Sequence, residues 1–106
     1  MKRLNYIDEQ IFMCKAEMYD KFNIVKRIIN SVDKLPEDKE LREEYICNLG
    51  RWSGAVIENI WKRYLYNKIE NKASVAEFKK FMSCKELDFK MAREIYDLLN
   101  HLRATK

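Results

Sequence analysis

Ile7, Ile11, Cys14, Met18, Phe22, Val25, Ile29 and Val32 succeed one another at three- and four-residue steps. That spacing returns each side chain to one side of a 3.6-residue turn, so the segment predicts an amphipathic helix with a single apolar stripe. The helix should end near Asp33, because Pro36 disfavours helical backbone at Leu35 and itself suits a first helical turn. Glu37, Asp38 and Glu40 then put negative charge at the positive end of the next helix dipole.

The second predicted helix runs from Pro36 to Asn71. Leu41, Tyr45, Leu49, Trp52, Val56 and Ile60 trace one stripe, and Ile57, Trp61, Leu65 and Ile69 trace another beside it. So wide an apolar surface predicts a long central helix touched by several neighbours. Gly50 and Gly54 lie one turn apart, where each costs about 1 kcal/mol against alanine. Bare backbone there predicts close approach by another helix, by a second copy of the chain, or a kink. A membrane-type pairing motif does not fit, since Arg51, Glu58, Lys62 and Arg63 interrupt the stretch.

Ser74 followed by Glu77 matches a capping box, so a short third helix should start there and carry Val75, Phe78, Phe81 and Met82. A break is expected around Ser83 to Asp88. A last helix then presents Met91, Ile95, Leu98 and Leu102 on one face. The pattern predicts an all-α fold: a compact bundle of about four helices with a long central second helix, forming one domain over residues 1–106.

Composition narrows the class. Hydrophobic residues make up 47% and charged residues 36% of the chain, enough apolar material for a core under a solvated exterior. Two glycines and one proline argue against a turn-rich β protein. No run approaches a membrane span and the start lacks a signal-peptide core, so a cytoplasmic protein is expected. Cys14, Cys47 and Cys84 are widely spaced and outside any CxxC pattern, which reads as buried free thiols. No clustered ligand set for a metal and no cofactor motif is present in the sequence, so neither a metal nor a cofactor is expected.

Charge is uneven. Residues 1–50 hold nine Lys/Arg against ten Asp/Glu, and residues 51–106 hold twelve against seven. The basic second half permits an acidic partner. Arg51, Lys62, Arg63, Lys68 and Lys72, with aromatic rings between them, permit a nucleic-acid surface in which bases stack on rings. The competing reading puts Trp52 and Trp61 in the core and leaves the basic residues as an ordinary solvated face. Glu58, in apolar surroundings, reads as an interhelical polar contact, such as a partner for a buried arginine, rather than as a catalytic acid.

The stretches REEYICNLGRWSGAVIENIWKRYLYNKIENKASVAEFKKF and MAREIYDLLNHL resemble the HEPN superfamily of prokaryotic helical domains. The likeness lies in a long helix with a Glu after small apolar residues, an aromatic continuation, a short helix and an I-x-x-LL segment, over roughly residues 41–102. The resemblance implies a helical bundle, frequent dimers, and roles in toxin–antitoxin, abortive-infection or CRISPR-linked defence. Many members are metal-independent RNases with an R-x4-6-H motif across a dimer interface. Glu58 matches the family's helix-borne acidic position. The catalytic pair has no match: His101 is the one histidine, and Arg93, the nearest upstream arginine, stands eight positions before it.

The sequence therefore predicts a non-enzymatic HEPN-like protein that binds a partner protein in a defence setting, with a homodimer also compatible. Gly50, Arg51, Gly54, Glu58, Lys62, Arg63 and Lys68 form the expected interaction surface. The alternatives are a small nucleic-acid-binding module, a helical immunity or inhibitor protein, and a residual RNase.

Overall fold

Asn5 opens the first helix by accepting the Asp8 amide on its side-chain oxygen at 2.8 Å. In the computed structural model, which describes residues 5–104, three long helices follow. Helix α1 spans Tyr6–Asn30, α2 spans Lys39–Tyr64, and α3 spans Val75–Ala104. A π-helical turn, Leu65–Ile69, extends α2. Each helix packs against the other two. The direction of the chain follows from a few contacts. Asp8 pairs with Lys80, so α3 runs alongside α1 in the same sense. Arg103 pairs with Glu43 and Trp61 bonds Asp88, so α2 runs opposite to α3. The result is an up-down-up bundle.

The all-helical expectation holds, but the described residues form three α-helices rather than four. The break expected at Ser83–Asp88 does not occur. Cys84 is fully buried there, Leu87 packs on the core, and the apolar steps run unbroken from Phe81 through Cys84 to Met91, Ile95 and Leu99. Counting Cys84 as a small core hydrophobe restores the helical period across the segment. No glycine or proline stands there to stop it.

The expectation of a compact shape also needs correction. The bundle measures 56 × 26 × 17 Å with a radius of gyration of 17.0 Å, against about 13 Å for a compact domain of 100 residues. Joining the last two predicted helices into one of 30 residues makes a rod.

Helix ends differ by a few residues from the predicted ones. Helix α1 stops at Asn30, where the Ser31 amide bonds back to the Arg27 carbonyl at 3.0 Å. Pro36 lies in the loop rather than in the first turn of α2. Asp38 caps that helix instead, accepting the amides of Glu40 at 2.9 Å and Leu41 at 3.0 Å. Arg42 folds back to donate to the carbonyls of Pro36 and Glu37 and so holds the loop outside the helix. The capping box is formed as predicted. The Glu77 amide donates to Ser74 Oγ at 3.2 Å, while Glu77 Oε1 accepts from the Ser74 hydroxyl at 3.0 Å.

The π turn has a packing cause. Tyr64 and Ile69 are both core residues, five positions apart. On an α-helix five positions carry the chain about 140° beyond a full turn, which would swing Ile69 out of the core. One wider turn, closed by the Glu70 amide on the Leu65 carbonyl at 2.8 Å, brings Ile69 back to 0% exposure.

Candidate interaction surface

The buried face of α2 is Ile46, Ser53, Ile57, Ile60, Trp61 and Tyr64. The fully buried Ser53 satisfies its hydroxyl on the Leu49 carbonyl at 2.7 Å. That face differs from the first predicted stripe. Leu41, Tyr45 and Trp52 are 56%, 43% and 43% exposed, so Trp61 fills the core as expected and Trp52 does not. The reason is geometric. Two neighbouring helices cover one side of α2, and residue 52 lies about 100° around the helix from the fully buried Ser53.

The seven candidate surface residues do not form one surface. Gly50 belongs inside the bundle, where an added Cβ would stand 2.9 Å from Leu99 Cδ1; here the close approach is between α2 and α3. Gly54 has open space in front of it, with no atom within 4 Å of an added Cβ, so no close approach within the bundle requires a glycine there. Arg51 and Gly54, with Glu58 and Lys62, recur at three- and four-residue steps along the edge of α2 nearer α3. Glu58 pairs with Lys62 at 2.5 Å on the surface, not with a buried arginine.

Arg63 and Lys68 lie on the opposite edge, towards α1. With Glu17, Tyr64 and Asn67 they line a cleft of about 150 Å³ at the π turn. Burial first, and hydrogen bonding to Glu17 second, raise the Tyr64 phenol above its ordinary pKa. Glu17 Oε2 is buried without a hydrogen-bond partner, as is Gln10 Oε1 seven residues earlier. A second, shallower cleft of about 210 Å³ lies between α1 and α3, lined by Lys15, Tyr19, Ser83, Glu86, Leu87 and Lys90.

Two polar features escaped the sequence reading. The Trp61 indole donates to Asp88 Oδ2 at 2.9 Å, which ties α2 to α3. Burial raises the Asp88 carboxyl above its ordinary pKa, and the indole hydrogen bond opposes that rise. The signal was present: a buried tryptophan needs an acceptor. The break expected at Ser83–Asp88 hides it, since only a continuous α3 brings Asp88 to the indole. Arg103 Nε and Nη2 grip the Glu43 carboxylate at 2.7–3.0 Å, which holds Glu43 below its usual range. The exposed Cys47 lies beside this pair.

Comparison with protein-family models, curated proteins and solved structures finds no match.

The cysteines follow the expected pattern in part. Cys14 and Cys84 are buried and free, and Cys47 is exposed. Hydrogen bonding to Cys84 and burial both push the Cys14 thiol far up, so it stays protonated. Among the described residues no group of three or more His, Cys, Asp or Glu is placed to hold a metal ion. No described helix is long and apolar enough to cross a membrane. Several of the basic groups are engaged. Lys62 and Arg103 are in ion pairs, and Lys26, Lys68 and Lys72 sit over the rings of Phe22, Tyr64 and Tyr6.

Asp88 gives a pH test. An acid whose folded pKa is raised stabilises the fold below its unfolded pKa, and that contribution is lost as pH rises through the folded value. At neutral pH the ionised Asp88 therefore costs stability. Asp88→Asn keeps an oxygen for the indole, so at pH 7 it is expected to melt at or above the wild-type temperature, and to lose that advantage near pH 3. Asp88→Ala, which leaves the indole without its partner, is expected to lose about 1–3 kcal/mol. Thermal melts of the three proteins across pH check this; an Asn variant less stable than wild type at pH 7 contradicts it.

Proposed function

We propose that the chain is a non-enzymatic helical bundle that works by binding a partner protein. One observation carries this reading: large aromatic side chains remain outside a core that is already filled. Phe12 and Tyr19 on α1 are 69% and 51% exposed, Phe89 and Tyr96 on α3 are 63% and 61% exposed, and α2 adds Tyr45 and Trp52 at 43% each. Apolar surface in that amount, interspersed with charge, is the usual composition of a recognition face. The HEPN resemblance and its defence setting belong to the same proposal.

A nucleic-acid module is the second reading, favoured by the basic second half of the chain. Against it stand the ion pairs and ring contacts that already engage several of the cations. Phosphate neutralisation is the main source of affinity for nucleic acid, so binding of that kind would be weak and fall steeply with salt. An RNase reading has less support. Arg93 and His101 share α3, separated by about 12 Å along its axis at 1.5 Å per residue.

The test is recovery of the tagged chain from its source cells, with and without nuclease, beside Trp52→Glu and Phe89→Glu variants. Mass spectrometry is expected to find a protein that survives nuclease treatment and is lost with at least one variant. Capture that depends on nucleic acid would support the second reading instead.

A further inference from the structure

At the π turn, charges of both signs line one cleft and leave each other unpaired. Glu17 comes from α1, Arg63 and Tyr64 from the end of α2, and Asn67 and Lys68 from the wide turn itself. Arg63 with Asn67, and Tyr64 with Lys68, stand four positions apart, so the four side chains form two adjoining rows. Lys68 Nζ lies 4.9 Å from the centre of the Tyr64 ring, which holds the ammonium at the wall of the cleft. Tyr64 is buried, and its hydroxyl bonds to the Glu17 carboxylate.

The cleft is short of hydrogen bonds. Among the described residues no ion pair joins Glu17 to Arg63 or Lys68. Glu17 Oε2 is buried and has no hydrogen-bond partner. A buried carboxylate oxygen is costly to leave without a donor, and Tyr64 has a single proton to give. Arg63 brings a planar fork of N–H donors to the same space, the shape that suits a carboxylate. The volume of about 150 Å³ lies well below the ~300–1,000 Å³ of pockets for drug-sized molecules, so a handful of heavy atoms fills it.

We infer that this cleft binds a small zwitterion, an amino acid whose ammonium donates to Glu17 Oε2 and whose carboxylate is taken by Arg63 with Lys68 beside it. The Asn67 amide has donors and an acceptor and serves either end. A lone anion meets the Glu17 carboxylate, and a lone cation meets Arg63 and Lys68, so a single charge of either sign gains from one side and is repelled by the other. The site goes beyond the protein-binding reading and needs no partner chain.

The test is a titration of the ¹⁵N-labelled full chain with glycine, β-alanine and 4-aminobutanoate, beside acetate and methylammonium, at about pH 7 and low salt. The backbone amides of Glu17, Arg63 and Lys68 report on the cleft. At least one zwitterion is expected to saturate these shifts with a Kd of about 1 mM, the scale that so few atoms can reach. It should bind at least about tenfold more tightly than acetate or methylammonium. Glu17→Gln keeps the size of the side chain and drops its charge, so it should weaken the zwitterion and tighten acetate. Arg63→Met should weaken the zwitterion, and Lys79→Met, an exposed cation on α3, should change nothing. Helicity and melting of each variant show that it is folded; where one is not, the wild-type ranking of zwitterion over single charges still decides. Shifts that never saturate, acetate or methylammonium binding as tightly as every zwitterion, or an affinity unchanged in both Glu17→Gln and Arg63→Met overturns the inference.

Discussion

Replacing Phe81 with alanine is expected to lower the unfolding free energy by about 3–5 kcal/mol, the usual range for a buried aromatic cut to a methyl group. Phe81 is 1% exposed and belongs to the first turns of α3, just beyond the connection from the π turn. Its loss removes apolar transfer energy and leaves a cavity that three long helices cannot close without shifting along their length. Domains of this size hold about 5–15 kcal/mol in all, so the variant should be folded only marginally at room temperature. Phe89→Ala, on the same helix but at a position 63% exposed, is the control and should change stability by no more than about 0.5 kcal/mol. Urea titrations followed by circular dichroism measure both, through the midpoint at unchanged slope. Equal losses in the two variants would mean that α3 is not seated on the face described.

Deleting Ala55 is expected to abolish the cooperative unfolding transition, whereas deleting Asn67 should leave it in place. Both residues are exposed, so neither deletion removes a core contact directly. Removing one residue from the middle of α2 rotates everything after it by about 100° relative to what precedes it. Ile57, Ile60, Trp61 and Tyr64 would then leave the face shared with Ile46 and Ser53. Asn67 lies within the wide turn, where the chain already holds one residue more than an α-turn needs. Without it, Tyr64 and Ile69 become four positions apart and share a face on an ordinary α-helix. The Asn67 deletion should therefore melt cooperatively within a few degrees of wild type, and the Ala55 deletion should show no sharp melt. A cooperative Ala55 deletion, or a collapsed Asn67 deletion, would contradict the account of the π turn.

The helical class, the stripe of α1 and the Ser74–Glu77 cap were legible in the sequence because each is local. A 3.6-residue period and a capping box need no information about what lies across the core. Even the single α3 was legible once Cys84 counted as apolar. The surface was harder. On α2 the sequence shows two adjoining apolar stripes and no way to choose between them, since the choice depends on where α1 and α3 stand. Tertiary packing put Trp61 inside and left Trp52 out, and it separated Gly50, held against Leu99, from Gly54, which faces open space. It also moved Arg63 and Lys68 to the α1 side and Glu58 and Lys62 to the α3 side. Asp88 gained its role only when α3 was laid antiparallel to α2 and met the Trp61 indole 27 residues away in the chain. The π turn belongs with these: its five residues look helical alone, and only the need to bury both Tyr64 and Ile69 against two other helices widens the turn. What the sequence determined by itself was the set of helices and their apolar faces, because backbone hydrogen bonding and side-chain period are short-range. Which face is covered, and so which aromatics remain to meet a partner, was decided by three rods competing for one line of contact.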